Sequence, residues 1–141
     1  MPHVRLTRVV RFSASHRYHR PEWTVEENAR VFGLCAREHG HGHNYRCAVT
    51  VHGPLTAETG MVMDLAALDR LLASEVREPL DHRHLNLDVP EFAYGQTIPT
   101  AEALAVWVWQ RLAERLPAGV TLARVRIEED DDLFAEYAGE A

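Results

Sequence analysis

The sequence predicts an α+β fold in which an antiparallel β-sheet carries two helices on one face. Three observations support this prediction: apolar and polar residues alternate near both ends of the chain, apolar residues recur at helical spacing in two segments between them, and the resulting order is ββααββ. The chain has 141 residues and shows no linker, repeat or low-complexity segment. We therefore interpret residues 1–141 as one domain.

The first predicted strand runs from Val4 to His16. Its even positions are mostly apolar and its odd positions mostly polar, which is typical of a strand with one buried face. His16 continues that face at the end of the strand. A second strand is predicted from about His41 to His52, and its apolar positions share a face with His41 and His43. Both predicted strands therefore carry histidine at one end of their buried face.

Two helices are predicted in the middle of the chain. Asp64 is expected to cap a helix that runs from Leu65 to about Glu78 and ends at Pro79. Thr100 is expected to cap a second helix, from Ala101 to Leu116, whose apolar residues repeat at helical spacing. The tryptophans of this helix are interpreted as core residues.

Alternation returns near the end of the chain, over residues 120–129, and residues 133–137 are predicted to form a last short strand. The positions expected to face inward are Thr121, Ala123, Val125 and Ile127. Glu129 continues this inward face, whereas Glu128 is expected to face outward. A carboxylate at the end of a buried face needs a partner or a ligand, so Glu129 is a candidate binding residue.

Composition excludes several classes of protein. The formal net charge is −6, which argues against nucleic acid as a general partner, since non-specific binding of nucleic acid needs a basic surface. No apolar run approaches the roughly 20 residues that span a bilayer, and the N-terminus does not resemble a signal peptide. Two cysteines without an export signal favour free thiols and a cytoplasmic location.

The sequence contains nine histidines, of which four fall within residues 39–52. His41 and His43 are two residues apart on a predicted strand, so their imidazoles project from one face. If this strand pairs with the strand that His16 ends, the three rings can meet at one point. A single inward histidine is more commonly a core residue, but three histidines with a fourth position open are the ligand set of a catalytic zinc.

The segment between the first two strands, residues 17–40, shows no clean period and is expected to form a long loop with a short helical piece around Glu26–Phe32. Cys35 lies in this loop. Beside a metal and cationic groups its thiol would have a lowered pKa and could serve as a base or nucleophile. Asp81 and His82 follow the first helix, and such a pair can orient a proton carrier, although the dipeptide alone is common.

Eight short motifs, spaced in one order over nearly the entire chain, together resemble the 6-pyruvoyl-tetrahydropterin synthase family. They are FSASH at 12–16, EEN at 26–28, VFGLC at 31–35, GHGHNY at 40–45, VTVHG at 49–53, GMVMDL at 60–65, PLDH at 79–82 and LDVP at 87–90. An ordered set of this kind is far more specific than any single motif.

The resemblance implies a role for individual residues. The zinc ligands it implies are His16, His41 and His43. The catalytic residues it implies are Cys35 and the proton relay Asp81 and His82. The substrate-binding residues it implies are Thr100 and the pterin-anchoring Glu129. One departure from the family pattern is Ala103, which stands where the family has asparagine.

The resemblance also implies the tunnelling fold, in which trimers build a continuous barrel and two trimers stack into a homo-hexamer with active sites between subunits. The implied activity is that of a Zn²⁺-dependent lyase that converts 7,8-dihydroneopterin triphosphate to 6-pyruvoyl-tetrahydropterin and triphosphate in tetrahydrobiopterin synthesis. The triphosphate requires cations, and the candidates in the long loop are Arg17, His19, Arg20, Arg30 and Arg37.

A second branch of the family makes 6-carboxy-tetrahydropterin for queuosine and related deazapurines and releases acetaldehyde. In that branch the cysteine usually stands four residues before the first histidine of HGH. Here Cys35 precedes His41 by six residues, as in the pyruvoyl branch, although His39, Gly40 and His41 provide a second register with the shorter spacing. A third reading, a zinc-stabilised pterin-binding module without catalysis, leaves the cysteine and the Asp–His pair unused.

Overall fold

Five strands form one sheet within residues 1–140, the part of the chain that this computed structural model describes. They are β1 (His3–His16), β2 (His41–Pro54), β3 (Arg83–His84), β4 (Thr121–Asp130) and β5 (Leu133–Tyr137). The order across the sheet is β3-β1-β2-β4-β5, and every neighbouring pair is antiparallel except β1 and β3. The predicted antiparallel α+β fold is confirmed, and β3 was not predicted because two residues are too short to show alternation.

The helices lie in the connections between strands. They are α1 (Val25–Phe32), α2 (Leu65–Leu72), α3 (Glu78–Leu80), α4 (Leu85–Asp88) and α5 (Ala101–Leu112). Short 3₁₀ turns follow α1 at Gly33–Ala36 and α4 at Pro90–Phe92. None of the helices within residues 1–140 is long and apolar enough to cross a membrane.

Two predicted helix ends differ from the structure. A π-helical turn, Ala73–Arg77, joins α2 to α3, so the helical segment continues through Pro79 to Leu80. The prediction that Pro79 ends this helix is wrong, because the proline stands in the first turn of α3, where its missing N–H costs least. The helix predicted to reach Leu116 ends at Leu112, and residues 113–116 form turns and bends before Pro117.

The core lies between the helices and one face of the sheet. Its largest fully buried side chains from the sheet are Tyr45, Ile127, His16, Val49 and Val51, and those from the helical segments are Phe92, Leu68, Leu80, Leu85, Leu104, Leu112 and Val76. The other face carries charged residues such as Arg11, Arg46 and Arg126, which are exposed or half-buried. This division follows from the alternation of apolar and polar residues along each strand.

A β-bulge changes the start of β4. Leu122 pairs with Val51 and Arg124 pairs with Thr50, so Ala123 between them has no partner in β2. Leu122 is buried and Thr121 is exposed, so the prediction that Thr121 faces inward is wrong. The bulge inserts one residue and thereby shifts the alternation. From Val125 onward the odd residues are buried as predicted.

Candidate active site

His16, His41 and His43 meet where β1 ends and β2 begins. The antiparallel register sets His16 directly opposite His41 and Ala14 opposite His43. The three potential ligand atoms all lie within 4.8 Å of one another. The structure therefore brings together the three histidines that the sequence predicts to converge, and their binding of a metal stays a prediction.

The chain approaches this cluster through Gly40. Its φ of 70° lies in the left-handed region, and a Cβ atom at this position would collide with the backbone carbonyl oxygen of His16. His39 is exposed in the turn just before Gly40 and is not among the clustered ligand atoms. The register that starts at His39 is therefore not the one that forms the cluster.

Two imidazoles of the cluster favour the neutral form, which is the form that binds a metal. Burial lowers the pKa of His16 to about 3, with smaller contributions from the neighbouring imidazoles of His43 and His41, because protonated histidines side by side repel each other. Burial also lowers the pKa of His41. The Nδ1 atom of His16 lies 3.0 Å from the hydroxyl oxygen of Tyr45. The Nε2 atoms of His16 and His43 are buried and have no hydrogen-bond partner among residues 1–140.

Glu129 lies beside the cluster on β4 and is only 7 % exposed. Its Oε1 atom is 3.8 Å from His16 Nε2 and 3.7 Å from His43 Nε2. The hydroxyl of Tyr18 donates to the same oxygen at 3.4 Å. Within the described residues no arginine pairs with this carboxylate. A buried carboxylate surrounded by neutral groups is costly, so the site is suited to a cation or to a ligand rich in hydrogen-bond donors.

Sequence reasoning missed three residues of this site. The Tyr18 hydroxyl contacts Glu129 and the Tyr45 hydroxyl contacts His16, and both residues are indistinguishable in the sequence from ordinary aromatic core residues. Asp130 is exposed, but its carboxylate lies within 4.8 Å of the ligand atoms of His43 and Glu129. The alternation that predicts Glu129 could not indicate Asp130, which continues the outward face.

Cys35 lies half-buried in the 3₁₀ turn Gly33–Ala36, and its carbonyl oxygen accepts a hydrogen bond from the Tyr18 N–H at 2.8 Å. Burial and the negative charge of Glu129 raise the pKa of the Cys35 thiol. The predicted lowering of this pKa assumes a metal and cationic groups beside the thiol, and it stays a prediction. A thiolate here requires added positive charge.

Asp81 and His82 form the predicted pair, with 3.0 Å between Asp81 Oδ2 and His82 Nδ1. Asp81 also accepts a hydrogen bond from the Ser13 backbone N–H at 2.8 Å. The pair is therefore anchored by the backbone of β1 at the edge of the strand that is next to β3. His82 has a left-handed backbone, with φ of 59°, and its side chain is 84 % exposed. Its imidazole therefore faces outward, away from the core.

A cavity of about 600 Å³ lies at this end of the sheet. Its lining includes Ser13, Ser15, Asn44, His82, Arg83 and His84, and it extends to His43. The cavity is open, so a group that completes it can approach from outside the chain.

Thr100 caps α5 as predicted, and its Oγ1 atom accepts a hydrogen bond from the Ala103 N–H at 3.0 Å. This bond uses the backbone of Ala103, so alanine in place of the family's asparagine leaves the cap intact. The Ala103 side chain packs against the core. The hydroxyl proton of Thr100 remains free to donate to a ligand, and contact with substrate stays a prediction.

The five candidate cations for the triphosphate divide into two groups. Arg20 lies 3.1 Å from Glu22 and Arg30 lies 2.6 Å from Glu27, so both are neutralised by neighbours. The other three, Arg17, His19 and Arg37, line one cavity of about 440 Å³ together with residues of α1. The Arg17 guanidinium also donates to the carbonyl oxygen of Ala36 at 3.0 Å.

The sequence matches one family model and is similar to several known proteins. The family model described as "6-pyruvoyl tetrahydropterin synthase" matches residues 5–140. The 6-pyruvoyl tetrahydrobiopterin synthase of Homo sapiens is 43% identical over 137 residues, which are 97% of this chain and 92% of that protein. The protein of the same name from Poecilia reticulata is 44% identical over 135 residues, 96% of this chain and 90% of that protein.

The fold is also similar to that of a solved structure. The structure of Caenorhabditis elegans 6-pyruvoyl tetrahydropterin synthase superposes with a TM-score of 0.90 at 36% sequence identity. The match covers 99% of this chain and 98% of that chain. The likeness therefore extends over the whole sheet, its helices and the candidate site.

Proposed function

The chain belongs to the 6-pyruvoyl tetrahydropterin synthase family, and on that premise we propose that it is a zinc-dependent lyase acting on 7,8-dihydroneopterin triphosphate. The products are 6-pyruvoyl-tetrahydropterin and triphosphate. The observation that carries this proposal is the convergence of His16, His41 and His43 beside the buried carboxylate of Glu129. Hydrogen moves within the substrate in this reaction, so no redox cofactor is required.

The residues of the cluster fit a zinc ion. The buried Nε2 atoms of His16 and His43 lack hydrogen-bond partners among the described residues and with His41 form a suitable donor set, so His16, His41 and His43 would hold the metal. Zinc would supply Lewis acidity toward the hydroxyls of the substrate side chain and positive charge near Cys35. Three protein ligands leave a position open, which distinguishes a catalytic zinc site from a structural one.

Glu129 has the role of binding the pterin. Its carboxylate can accept two hydrogen bonds from the amino-pyrimidine edge of the ring, a bidentate arrangement that fixes orientation. Burial strengthens such bonds, because water does not compete for the carboxylate oxygens. We propose that Thr100, at the start of α5, faces the same region and donates its hydroxyl proton in a hydrogen bond to the pterin.

Cys35 and the Asp81–His82 pair have the role of moving protons. The Cys35 thiolate removes a proton from a carbon atom of the substrate. His82, oriented by Asp81, transfers a proton on the opposite side of the substrate. Since the His82 imidazole is 84 % exposed and faces outward, we propose that it serves the site of a neighbouring subunit. The assembly proposed is the homo-hexamer of the family.

The pyruvoyl branch is favoured over the 6-carboxy branch by the spacing of the cysteine. His41 is the first histidine of the cluster along β2, and Cys35 precedes it by six residues rather than four. The non-catalytic alternative is disfavoured because it gives no role to Cys35. We also propose a cytoplasmic location, which the two free thiols support.

Incubation of the purified, zinc-loaded chain with 7,8-dihydroneopterin triphosphate tests this proposal, with products identified by mass spectrometry. We expect 6-pyruvoyl-tetrahydropterin and triphosphate in equal amounts. Acetaldehyde with 6-carboxy-tetrahydropterin would instead assign the chain to the other branch. Substrate that binds and is recovered unchanged would contradict a catalytic role.

A further inference from the structure

The two ring nitrogens of His16 face different surroundings. The residue is fully buried, and its Nδ1 atom lies 3.0 Å from the hydroxyl oxygen of Tyr45, which is itself only 1 % exposed. Its Nε2 atom has no hydrogen-bond partner within the described chain and lies 3.8 Å from Glu129 Oε1. The backbone of Pro99 is a further hydrogen-bond partner of the ring. One nitrogen thus lies beside a phenol, and the other is directed toward the cluster.

Tyr45 is held firmly in this position. It lies opposite Phe12 in the register of β1 and β2, and the two rings stack with centroids 4.8 Å apart and an interplanar angle of 12°. Ala14, which follows Phe12 on the same face of β1, carries only a methyl group and leaves room for the hydroxyl to reach His16. The oxygen of Tyr45 therefore has a fixed location beside Nδ1.

The tautomer of His16 decides whether it can bind a metal through Nε2. A neutral imidazole carries one N–H, so a lone pair on Nε2 requires the proton to be on Nδ1. In that tautomer Nδ1 donates to the Tyr45 oxygen. Histidines that bind metals usually donate their second ring N–H to an acceptor, which orients the ring and fixes the tautomer.

We propose that Tyr45 is a positioning residue for the metal site, and that its phenolic oxygen accepts the Nδ1–H of His16 and selects the tautomer with the Nε2 lone pair directed at the cluster. The inference rests on the proposed metal site and is independent of the reaction catalysed there. An uncharged acceptor is suited to this pocket, because a carboxylate would add a second buried anion beside Glu129.

The Tyr45→Phe variant tests the role of the hydroxyl alone, since phenylalanine preserves the stack on Phe12. Zinc affinity of the full chain is measured by competition with a chromophoric chelator, and we expect the variant to bind about 10- to 100-fold more weakly. Tyr137→Phe is the matched control, because it removes a surface hydroxyl that bonds Glu140 at 2.8 Å. Its zinc affinity should equal that of the wild type.

A spectroscopic readout separates tautomer selection from general loss of structure. In ¹⁵N spectra of the zinc-loaded wild type, His16 should carry its proton on Nδ1 and the metal on Nε2. In Tyr45→Phe the Nδ1–H signal should shift or broaden through faster exchange, while thermal unfolding of the metal-free variant remains cooperative.

Three results would overturn the inference: equal zinc affinity of Tyr45→Phe and wild type, weaker affinity with an unchanged Nδ1–H signal, or metal bound to Nδ1 in the wild type. The third requires no variant and so holds even if Tyr45→Phe does not fold. A wild type that binds no zinc would refute the proposed metal site as well, whereas the product assay tests the reaction separately.

Discussion

Burial favours the neutral form of His16 and of Cys35 in the candidate site. It keeps His16 neutral by lowering its pKa to about 3, and it helps to raise the pKa of the Cys35 thiol. Glu129 is the buried carboxylate among these groups. Neither His16 nor the Cys35 thiol supplies a positive charge to balance this carboxylate. The electrostatics of single residues therefore favour a bound cation.

We expect one zinc ion per chain in the wild type and almost none in His16→Ala, because removal of one of three ligands leaves too few donors for tight binding. Metal content after dialysis is measured by atomic absorption. His39→Ala is the matched control, since His39 is exposed and lies outside the cluster. Loss of zinc from His39→Ala, or its retention in His16→Ala, would contradict the ligand assignment.

Glu129→Gln should weaken binding of the pterin product far more than Glu128→Gln does. Glu129 is 7 % exposed and beside the cluster, whereas Glu128 lies 3.2 Å from Arg46 on the other face of the sheet. A neutral amide cannot accept both hydrogen bonds from the pterin edge, so a loss of about 1.5–3 kcal/mol is expected.

Titration of the pterin against both variants, at matched zinc occupancy, measures this difference. Matched occupancy is needed because Glu129 lies close to the expected metal ligands. Weaker binding by Glu128→Gln than by Glu129→Gln would show that the binding carboxylate had been assigned to the wrong face of β4.

Among the elements, β1 connects the two parts of the proposed machinery. Its inner face ends in His16, and its backbone at Ser13 anchors the turn that carries Asp81 and His82. Ser13 N–H donates to the Asp81 carboxylate, and its carbonyl oxygen accepts from His82 N–H at 2.6 Å. The strand thus fixes the Asp–His turn through backbone bonds, which side-chain changes along β1 would not remove.

This anchoring has a pH dependence. The Ser13 N–H, with a smaller contribution from His82, lowers the pKa of Asp81 below its ordinary value of 3.8. A carboxylate whose pKa is lower in the folded state adds stability that is fully present above the unfolded pKa and is lost as pH falls through the folded pKa. Asp81→Asn should therefore be less stable than wild type near neutral pH, and the difference should shrink in acid.

Urea unfolding followed by circular dichroism, at several pH values from neutral to below 3.8, measures this difference in the free energy of unfolding. Asp131→Asn is the control, since Asp131 is exposed in the turn between β4 and β5. If the difference in the free energy of unfolding between wild type and Asp81→Asn stays constant across this pH range, the proposed coupling of stability to protonation of Asp81 is excluded.

At the scale of the whole molecule, both edges of the sheet are left largely without a pairing strand. β5 is an edge strand with Leu133 and Phe134 46% and 49% exposed, and β3 covers only two residues of β1 at the other edge. Exposed strand edges are surfaces for pairing with further strands. They are consistent with the proposed assembly, in which sheets of several chains join, and with an exposed His82 that serves a neighbouring chain.

Cys35→Ala and His82→Ala should each be nearly inactive and retain zinc, because neither residue belongs to the histidine cluster. If a site takes Cys35 from one chain and His82 from another, co-refolding the two inactive variants in equal amounts should restore about one quarter of wild-type activity, since about one site in four receives both intact residues. Light scattering should give a mass of several 16.0 kDa chains.

Mixing without recovery of activity, under conditions where the chains exchange, would show that Cys35 and His82 act within the same chain. Zinc loss from Cys35→Ala would show instead that the cysteine is a metal ligand. Wild-type chain that remains a monomer would contradict the shared site directly.

The sequence alone determined the features that depend on local periodicity. Alternation predicted β1, β2 and, apart from its bulge, β4, together with the inward histidines and Glu129, because side chains on a strand point alternately to two faces. The Asp64 and Thr100 caps were predictable because capping bonds span only a few residues. The ordered motifs, read together, identified the family.

Only the tertiary structure decided what depends on contacts between distant segments. The pairing of β1 with β2 brings His16 to His41, and the bulge at Ala123 depends on how β4 pairs with β2. The helical segment tolerates Pro79 because a π-helical turn precedes it. The raised pKa of Cys35 results from burial and from Glu129, which is far away in sequence. Charge, burial and tautomer are properties of an environment, and that environment exists only once the chain has folded.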